Sequence, residues 1–99
     1  MIDAVDERLY LNRKILKFSA SLSPAIVAAN ASVEQSLGAG SWAAGDMIIK
    51  IEKPTDQAGL ALVSGRVDAA GNLQLKFANV TAAGITPTAA EVYQILVAR

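Results

Sequence analysis

Short runs of alternating apolar and polar residues dominate this chain, and they restrict the folds open to it more than any other feature. Residues 47–53 show the alternation most clearly, because one set of positions holds Met47, Ile49 and Ile51. A period of two residues places alternate side chains on opposite faces of a β-strand. Ile48 lies with the polar set, so the outer face of this predicted strand is not fully polar.

Similar runs recur at intervals of 8–12 residues, separated by glycine, proline and other turn-forming residues. The further predicted strands are 14–22, 31–37, 60–63, 65–68, 73–78 and 92–98. The runs 60–63 and 65–68 are either two strands or one strand with a bulge at Ser64 and Gly65. Residues 92–98 are apolar on both faces, which predicts a central strand. Together the pattern predicts an all-β fold, an antiparallel β-sandwich of six or seven short strands with Greek-key or jelly-roll-like links.

A change in composition at Ser19 divides the chain into two parts. Residues 1–18 hold most of the clustered charge, whereas residues 19–99 are rich in alanine, glycine and serine. We therefore predict an N-terminal arm over 1–18 and a sandwich domain over 19–99. Residues 4–13 fit a weak helix or an extended arm, and the predicted strand 14–22 crosses the boundary.

The residue types exclude several classes of function. The 99 residues include neither cysteine nor histidine, which removes thiol nucleophiles, disulfides and His-based acid–base pairs, and argues against zinc sites. Nine basic residues balance nine acidic ones, so no basic surface is expected for nucleic acid. The sequence contains neither a signal-peptide pattern nor an apolar run long enough to span a membrane. We expect no enzyme activity, no cofactor and no membrane association.

Composition also predicts a partner. Apolar residues make up 53% of the chain and charged residues only 18%, and the net charge is zero. Monomeric proteins usually keep a charged surface and a net charge away from zero. We therefore expect self-association or stable docking to cover part of the apolar surface.

Few local patterns carry chemistry. The clusters Asp3/Asp6/Glu7 and Glu52/Asp56 lack the spacing of a calcium loop, and are interpreted as a solvated arm and a strand end. Asn30 and Asn79 each begin a match to the glycosylation pattern. For Asn79, a turn bracketed together with Thr81 is the preferred interpretation.

Three residues of the predicted domain are candidates for partner binding. Trp42 lies in a glycine- and alanine-rich loop, where it is either an exposed anchor or a lid over one end of the sandwich. Arg66 and Arg99 flank apolar strands, and each is either an interface ion-pair former or a surface charge at an edge.

Several segments resemble a family of small β-sandwich proteins of tailed bacteriophages, which occur as capsid decoration (cement) proteins and in head fibres. The segments are GDMI at 45–48, KPTDQAGL at 53–60, RV at 66–67, LQLKFANVT at 73–81, ITPT at 85–88 and EVY at 91–93. The segment SASLSP at 19–24, with the alanine-rich stretch after it, also resembles the first strand of that family. The resemblance covers residues 19–99.

The resemblance implies a homotrimer on the outer capsid surface of the virion, which holds neighbouring copies of the major capsid protein together. It brings no catalytic residues. The arm is the part that the resemblance covers least, and it could grip the capsid or a neighbouring subunit. Its candidate contacts are Leu9, Tyr10 and Leu11. The alternative function is a head- or tail-fibre module that binds a host surface or glycan, for which Trp42 and Tyr93 should be exposed.

Overall fold

The computed structural model describes residues 14–99, which form β-strands and connections and, within that range, no helix. The strands are β1 (Ile15–Leu22), β2 (Ser32–Ala39), β3 (Met47–Glu52), β4 (Leu60–Val67), β5 (Asn72–Asn79) and β6 (Glu91–Ala98). They form two antiparallel sheets, a first sheet ordered β1-β6-β3 and a second sheet ordered β2-β5-β4. The predicted all-β fold, a small antiparallel β-sandwich, is confirmed.

The core lies between the two central strands. Alternate residues of β6 and β5 point inward and are completely buried, namely Tyr93, Ile95 and Val97 from β6 and Leu73, Leu75 and Phe77 from β5. Burial of one large apolar side chain contributes about 2 kcal/mol. The alternation seen in the sequence thus becomes the inner face of each sheet.

Strand β6 is central in the first sheet, as its two apolar faces predict. Its inner face is completely buried, and so is Ala98 on its outer face. Val92 on the outer face is 48% exposed and Leu96 is half-buried. Among residues 14–99, the outer face of β6 is therefore only partly exposed, and most of all at Val92.

Residues 60–67 form one strand with a bulge, which was one of the two predicted alternatives. The register of β4 against β5 shifts between Leu62 and Ser64, so the extra residue is Val63, one position before the predicted bulge. Val63 is 55% exposed. A bulge at a sheet edge discourages pairing with another chain, because it interrupts the row of free backbone groups.

The predicted boundary between residues 18 and 19 falls inside β1. This strand begins at Ile15 and pairs with β6 over its whole length. Lys14 extends the pairing, since its backbone amide donates to Arg99 and its carbonyl accepts from Arg99, at 2.9 and 2.8 Å. The composition of the chain changes at Ser19, but the sandwich begins earlier, because backbone pairing with β6 starts at Lys14 and Ile15. Residues 1–13 lie outside the described residues.

The connections gather at the two ends of the sandwich. Residues 23–31, 53–59 and 80–90 meet at one end, which we call the three-loop end. Residues 40–46 and 68–71 lie at the opposite end, together with Lys14 and Arg99. Only the β4–β5 link joins neighbours in one sheet; the other four described connections cross between sheets.

Candidate functional site

Trp42 is buried, so it is not an exposed binding anchor. Its side chain is 7% exposed, and the indole Nε1–H donates to the carbonyl of Gly38 at 3.1 Å. A Cβ at Gly40 would lie 2.7 Å from the ring, so a side chain at that position would collide with the indole. Of the two interpretations, the lid over the end of the core is the one the structure shows. The partner-binding assignment of Trp42 is corrected accordingly.

Arg99 is engaged within its own chain. Its Nε and Nη2 donate to Oδ1 and Oδ2 of Asp46, both at 2.8 Å, and Nη2 also donates to the carbonyl of Ser41 at 3.0 Å. The guanidinium carbon lies 5.7 Å from the centre of the Phe18 ring. These contacts fasten the end of β6 to the β2–β3 connection, so Arg99 holds that loop in place.

The Asp46 carboxylate is the buried half of this pair. Its side chain is 1% exposed, and Oδ2 also accepts from the amide of Ala43 at 2.8 Å. The hydrogen bonds from Arg99, ahead of that from Ala43, lower the pKa of Asp46 below its ordinary value of 3.8, against the opposing effect of burial. Asp46 is therefore ionised throughout the neutral range.

Replacing Asp46 with Asn is expected to lower the free energy of unfolding by about 1.5 kcal/mol at neutral pH, since charge-assisted hydrogen bonds are lost. A lowered folded-state pKa contributes stability above the ordinary value of 3.8 and loses it as pH falls through the folded value. The difference in free energy of unfolding between wild type and Asp46→Asn should therefore disappear in acid. Urea unfolding at several pH values measures it, with the exposed Asp56→Asn as control. A gap that persists in strong acid would contradict the assignment.

Arg66 belongs to a surface ion pair on the second sheet. Its Nε and Nη2 donate to both carboxylate oxygens of Glu34 at 2.9 and 2.7 Å. The two residues lie on β4 and β2, so the pair spans the outer face of the intervening β5. The Arg66 side chain is 59% exposed. This geometry matches the interpretation as a surface charge at a sheet edge.

The candidate residues of the arm, Leu9, Tyr10 and Leu11, lie outside the described residues, as do Asp3, Asp6 and Glu7. Glu52 is 3.2 Å from Lys50 in an exposed pair, and residues 14–99 contain no group of three or more potential metal ligands. That part of the chain also has no helix long and apolar enough to cross a membrane.

A buried ion pair at the three-loop end escaped the sequence analysis. Lys53 Nζ lies 2.9 Å from Glu91 Oε1, and the two side chains are only 9% and 7% exposed. The Thr55 hydroxyl donates to the other oxygen of Glu91. The partners are far apart in sequence and carry no shared motif. The only sequence signal for this ion pair was one acidic residue, Glu91, directly before the apolar run 92–98.

The chemistry of this cluster is structural. Hydrogen bonds from Thr55 and Lys53 lower the pKa of Glu91, so it remains ionised. The neighbouring Tyr93 hydroxyl is buried and has no hydrogen-bond partner among residues 14–99. Burial, followed by the charge of Glu91, raises the pKa of Tyr93 to about 12. Both groups therefore keep a single protonation state at neutral pH.

Replacing Tyr93 with Phe is expected to leave the free energy of unfolding within about 1 kcal/mol of wild type, because the lost hydroxyl is buried and unpaired. In alkali the variant should be the more stable chain. The unfolded tyrosine ionises near 10.0 and the folded one near 12, so wild-type stability falls as pH rises through this interval. Urea unfolding at pH 7 and above pH 10 tests both. A large loss at pH 7 would mean that the hydroxyl has a partner.

Asn79 organises the three-loop end. It is 2% exposed, and its Nδ2 donates to the carbonyls of Val27 and Ala83 at 3.0 and 2.8 Å. Its Oδ1 accepts from the amide and the hydroxyl of Thr81 at 2.9 and 2.7 Å. The predicted bracketing of a turn by Asn79 and Thr81 is confirmed. Burial removes Asn79 as a site for glycosylation.

Five of the eight exposed large apolar side chains of the described residues lie on two surfaces, and the other three are Val33, Ile49 and Val63. The first is the outer face of the first sheet, where Ile15, Met47 and Val92 are 51%, 48% and 48% exposed. The second is the three-loop end, where Ile26 and Val80 are 62% and 76% exposed. The outer face of the second sheet is polar by contrast, and carries the ion pair of Arg66 and Glu34 beside Lys76.

No family model, curated protein or solved structure matches this chain in the comparisons with known proteins.

Proposed function

We propose that this chain is a structural virion protein, a decoration or cement protein on the outer capsid surface of a tailed bacteriophage. The observation that carries the proposal is the distribution of exposed apolar side chains. Five of the eight exposed large apolar side chains among residues 14–99 lie on one sheet face or at one end of the sandwich, whereas scattered single residues need no partner. The sequence resemblance to phage decoration proteins supports the same function.

The outer face of the first sheet suits self-association. Ile15 and Met47 flank Ala98 in one row across this face, and Val92 lies in the row nearest the three-loop end. The two rows between them are mixed, and hold Lys17, Leu96 and Lys50, then Ser19, Gln94 and Glu52. In the proposed homotrimer these faces bury one another. The major capsid protein is the second partner.

The alternative function, a fibre module that binds a glycan, is not supported by the exposure of its candidate residues. Its aromatic platform would consist of Trp42 and Tyr93, which are 7% and 0% exposed. Sugar rings stack on exposed aromatic faces, and neither ring offers one here.

Light scattering on the purified full-length chain tests the oligomer. The expected mass is three times that of one chain, and a variant with Val92 and Met47 both replaced by Lys should dissociate. A second variant lacking residues 1–13 measures the contribution of the arm while leaving β1 intact, because β1 begins at Ile15. A monomer at all concentrations would contradict self-association.

Capsid binding is tested with heads of the phage that carries the gene, prepared with that gene deleted. The purified protein should cosediment with these heads to saturation and raise the temperature at which they release DNA. Protein that stays in the supernatant at micromolar concentration would overturn the decoration function.

A further inference from the structure

The three-loop end is almost free of charge. Residues 23–31 and 80–90 contain no charged residue. In the third connection, 53–59, Lys53 is neutralised by Glu91 with both side chains at least nine-tenths buried. Asp56 is then the one exposed charge among the three connections. The opposite end differs, since it carries the exposed Lys14 and Arg99 and the half-buried Asp68, with Asp46 buried beside Arg99.

This end also holds the most exposed large apolar side chains of the described residues. Val80 is 76% exposed and Ile26 is 62% exposed. The positions around them are exposed alanines and threonines, among them Ala82 and Thr86. The surface is therefore apolar and built from small groups, so another protein can approach it closely.

The loops at this end are held in one arrangement. Val27 and Ile85 exchange both backbone hydrogen bonds, at 2.8 and 3.0 Å, and join connection 23–31 to connection 80–90. The Gln57 amide group donates to the carbonyl of Thr86 at 3.1 Å and accepts from the amide of Thr88 at 2.9 Å. A surface held in this way loses little conformational entropy on binding.

The chemistry of the surface selects its partner. Nucleic acid and anionic headgroups are bound through basic side chains, and connections 23–31 and 80–90 have none. Two sheets of three strands have an end surface of only about 300 Å². A stable pair of proteins buries about 800 Å² on each partner, so one such end does not by itself provide a stable interface with any protein. Several ends presented by one oligomer reach that area together.

We infer that the three-loop end is the surface that docks on the phage head, and that its partner there is an uncharged, apolar patch of the major capsid protein. This inference rests on the decoration function proposed above. Each copy of the oligomer contributes one end, with Ile26 and Val80 at its centre. Binding by such a surface depends on apolar contact and on several copies acting together, and it depends little on ionic strength.

Cosedimentation with decoration-free heads provides the test, with four proteins compared: wild type, Ile26→Lys, Val80→Lys and the control Val63→Lys. Val63 is a similarly exposed valine, at 55%, on the edge strand of the polar sheet. Each variant is first required to match wild type in circular dichroism and in mass by light scattering. The Ile26→Lys and Val80→Lys variants should bind the heads at least tenfold more weakly than wild type. The affinity of the Val63→Lys control should stay within twofold of wild type. Wild-type affinity should change less than threefold between 0.1 and 0.5 M NaCl.

The outcomes separate the inference from the function. Heads that bind wild type and all three variants equally would overturn the docking surface and leave the decoration function standing. Equal weakening by Val63→Lys, or a tenfold loss of wild-type affinity in salt, would also overturn it. Failure of wild type to bind any heads would overturn the decoration function itself.

Discussion

Replacing Glu91 with Gln is expected to lower the melting temperature by about 15 °C. Glutamine keeps the shape of the side chain and an oxygen for the Thr55 hydroxyl, but it leaves the Lys53 ammonium without an anion. Lys53 Nζ lies 2.9 Å from Glu91, and both side chains are at least nine-tenths buried. Removing one partner of a buried pair strongly destabilises a protein, because the remaining charge is desolvated and unpaired. For a domain of this size the loss is a large fraction of the total stability.

The matched control is Glu52→Gln, the same replacement in the exposed pair with Lys50, where the side chains are 57% and 68% exposed. Exposed pairs contribute little, so its melting temperature should change by less than about 3 °C. The double variant Lys53→Met, Glu91→Leu should recover most of the loss, since buried pairs are often replaceable by apolar residues. Calorimetry that shows equal, small shifts for Glu91→Gln and Glu52→Gln would contradict the burial of the pair.

Replacing Asn79 with Ala is expected to cost about 2 kcal/mol, or about 10 °C in melting temperature. The amide side chain makes four hydrogen bonds at the three-loop end while 2% exposed. Alanine leaves the amide of Thr81 without its acceptor and opens a cavity below connection 80–90. Amide hydrogen exchange should therefore speed up most at Ile85 and Val27, which bridge this connection to its neighbour.

Asn72→Ala is the control for this prediction. Asn72 is at the other end of β5 and makes no side-chain hydrogen bond within residues 14–99, so its replacement should shift melting by less than about 3 °C. If Asn79→Ala were as mild as Asn72→Ala, the hydrogen bonds of Asn79 would not be what holds the loops.

Much of the fold could be predicted from the sequence because strand signals are local. The alternation at Leu73, Leu75 and Phe77 identifies a strand and its inner face without knowledge of its neighbours. The two apolar faces of residues 92–98 likewise predicted the central position that β6 has in its sheet. They did not predict that Val92 on the outer face is exposed. The turn at Asn79 and Thr81 was also predictable, because its hydrogen bonds join residues two positions apart.

The site residues depended on contacts that the sequence does not contain. Trp42 could be an anchor or a lid until the packing of its loop over the core decided between them. The sequence alone determined which segments form strands and that the loops of 23–31 and 80–90 carry no charge. The predicted shared face of Met47, Ile49 and Ile51 was wrong. The register of β3 shifts between Ile48 and Lys50, so Ile48 and Ile51 pack against the core while Met47 and Ile49 are exposed. Only the tertiary structure decided that Lys53 pairs with Glu91, that Arg99 holds Asp46, and that Ile26 and Val80 stand exposed at one end. The reason is physical: alternation and turn chemistry act over a few residues, whereas burial and ion pairing depend on which strands and loops meet in space.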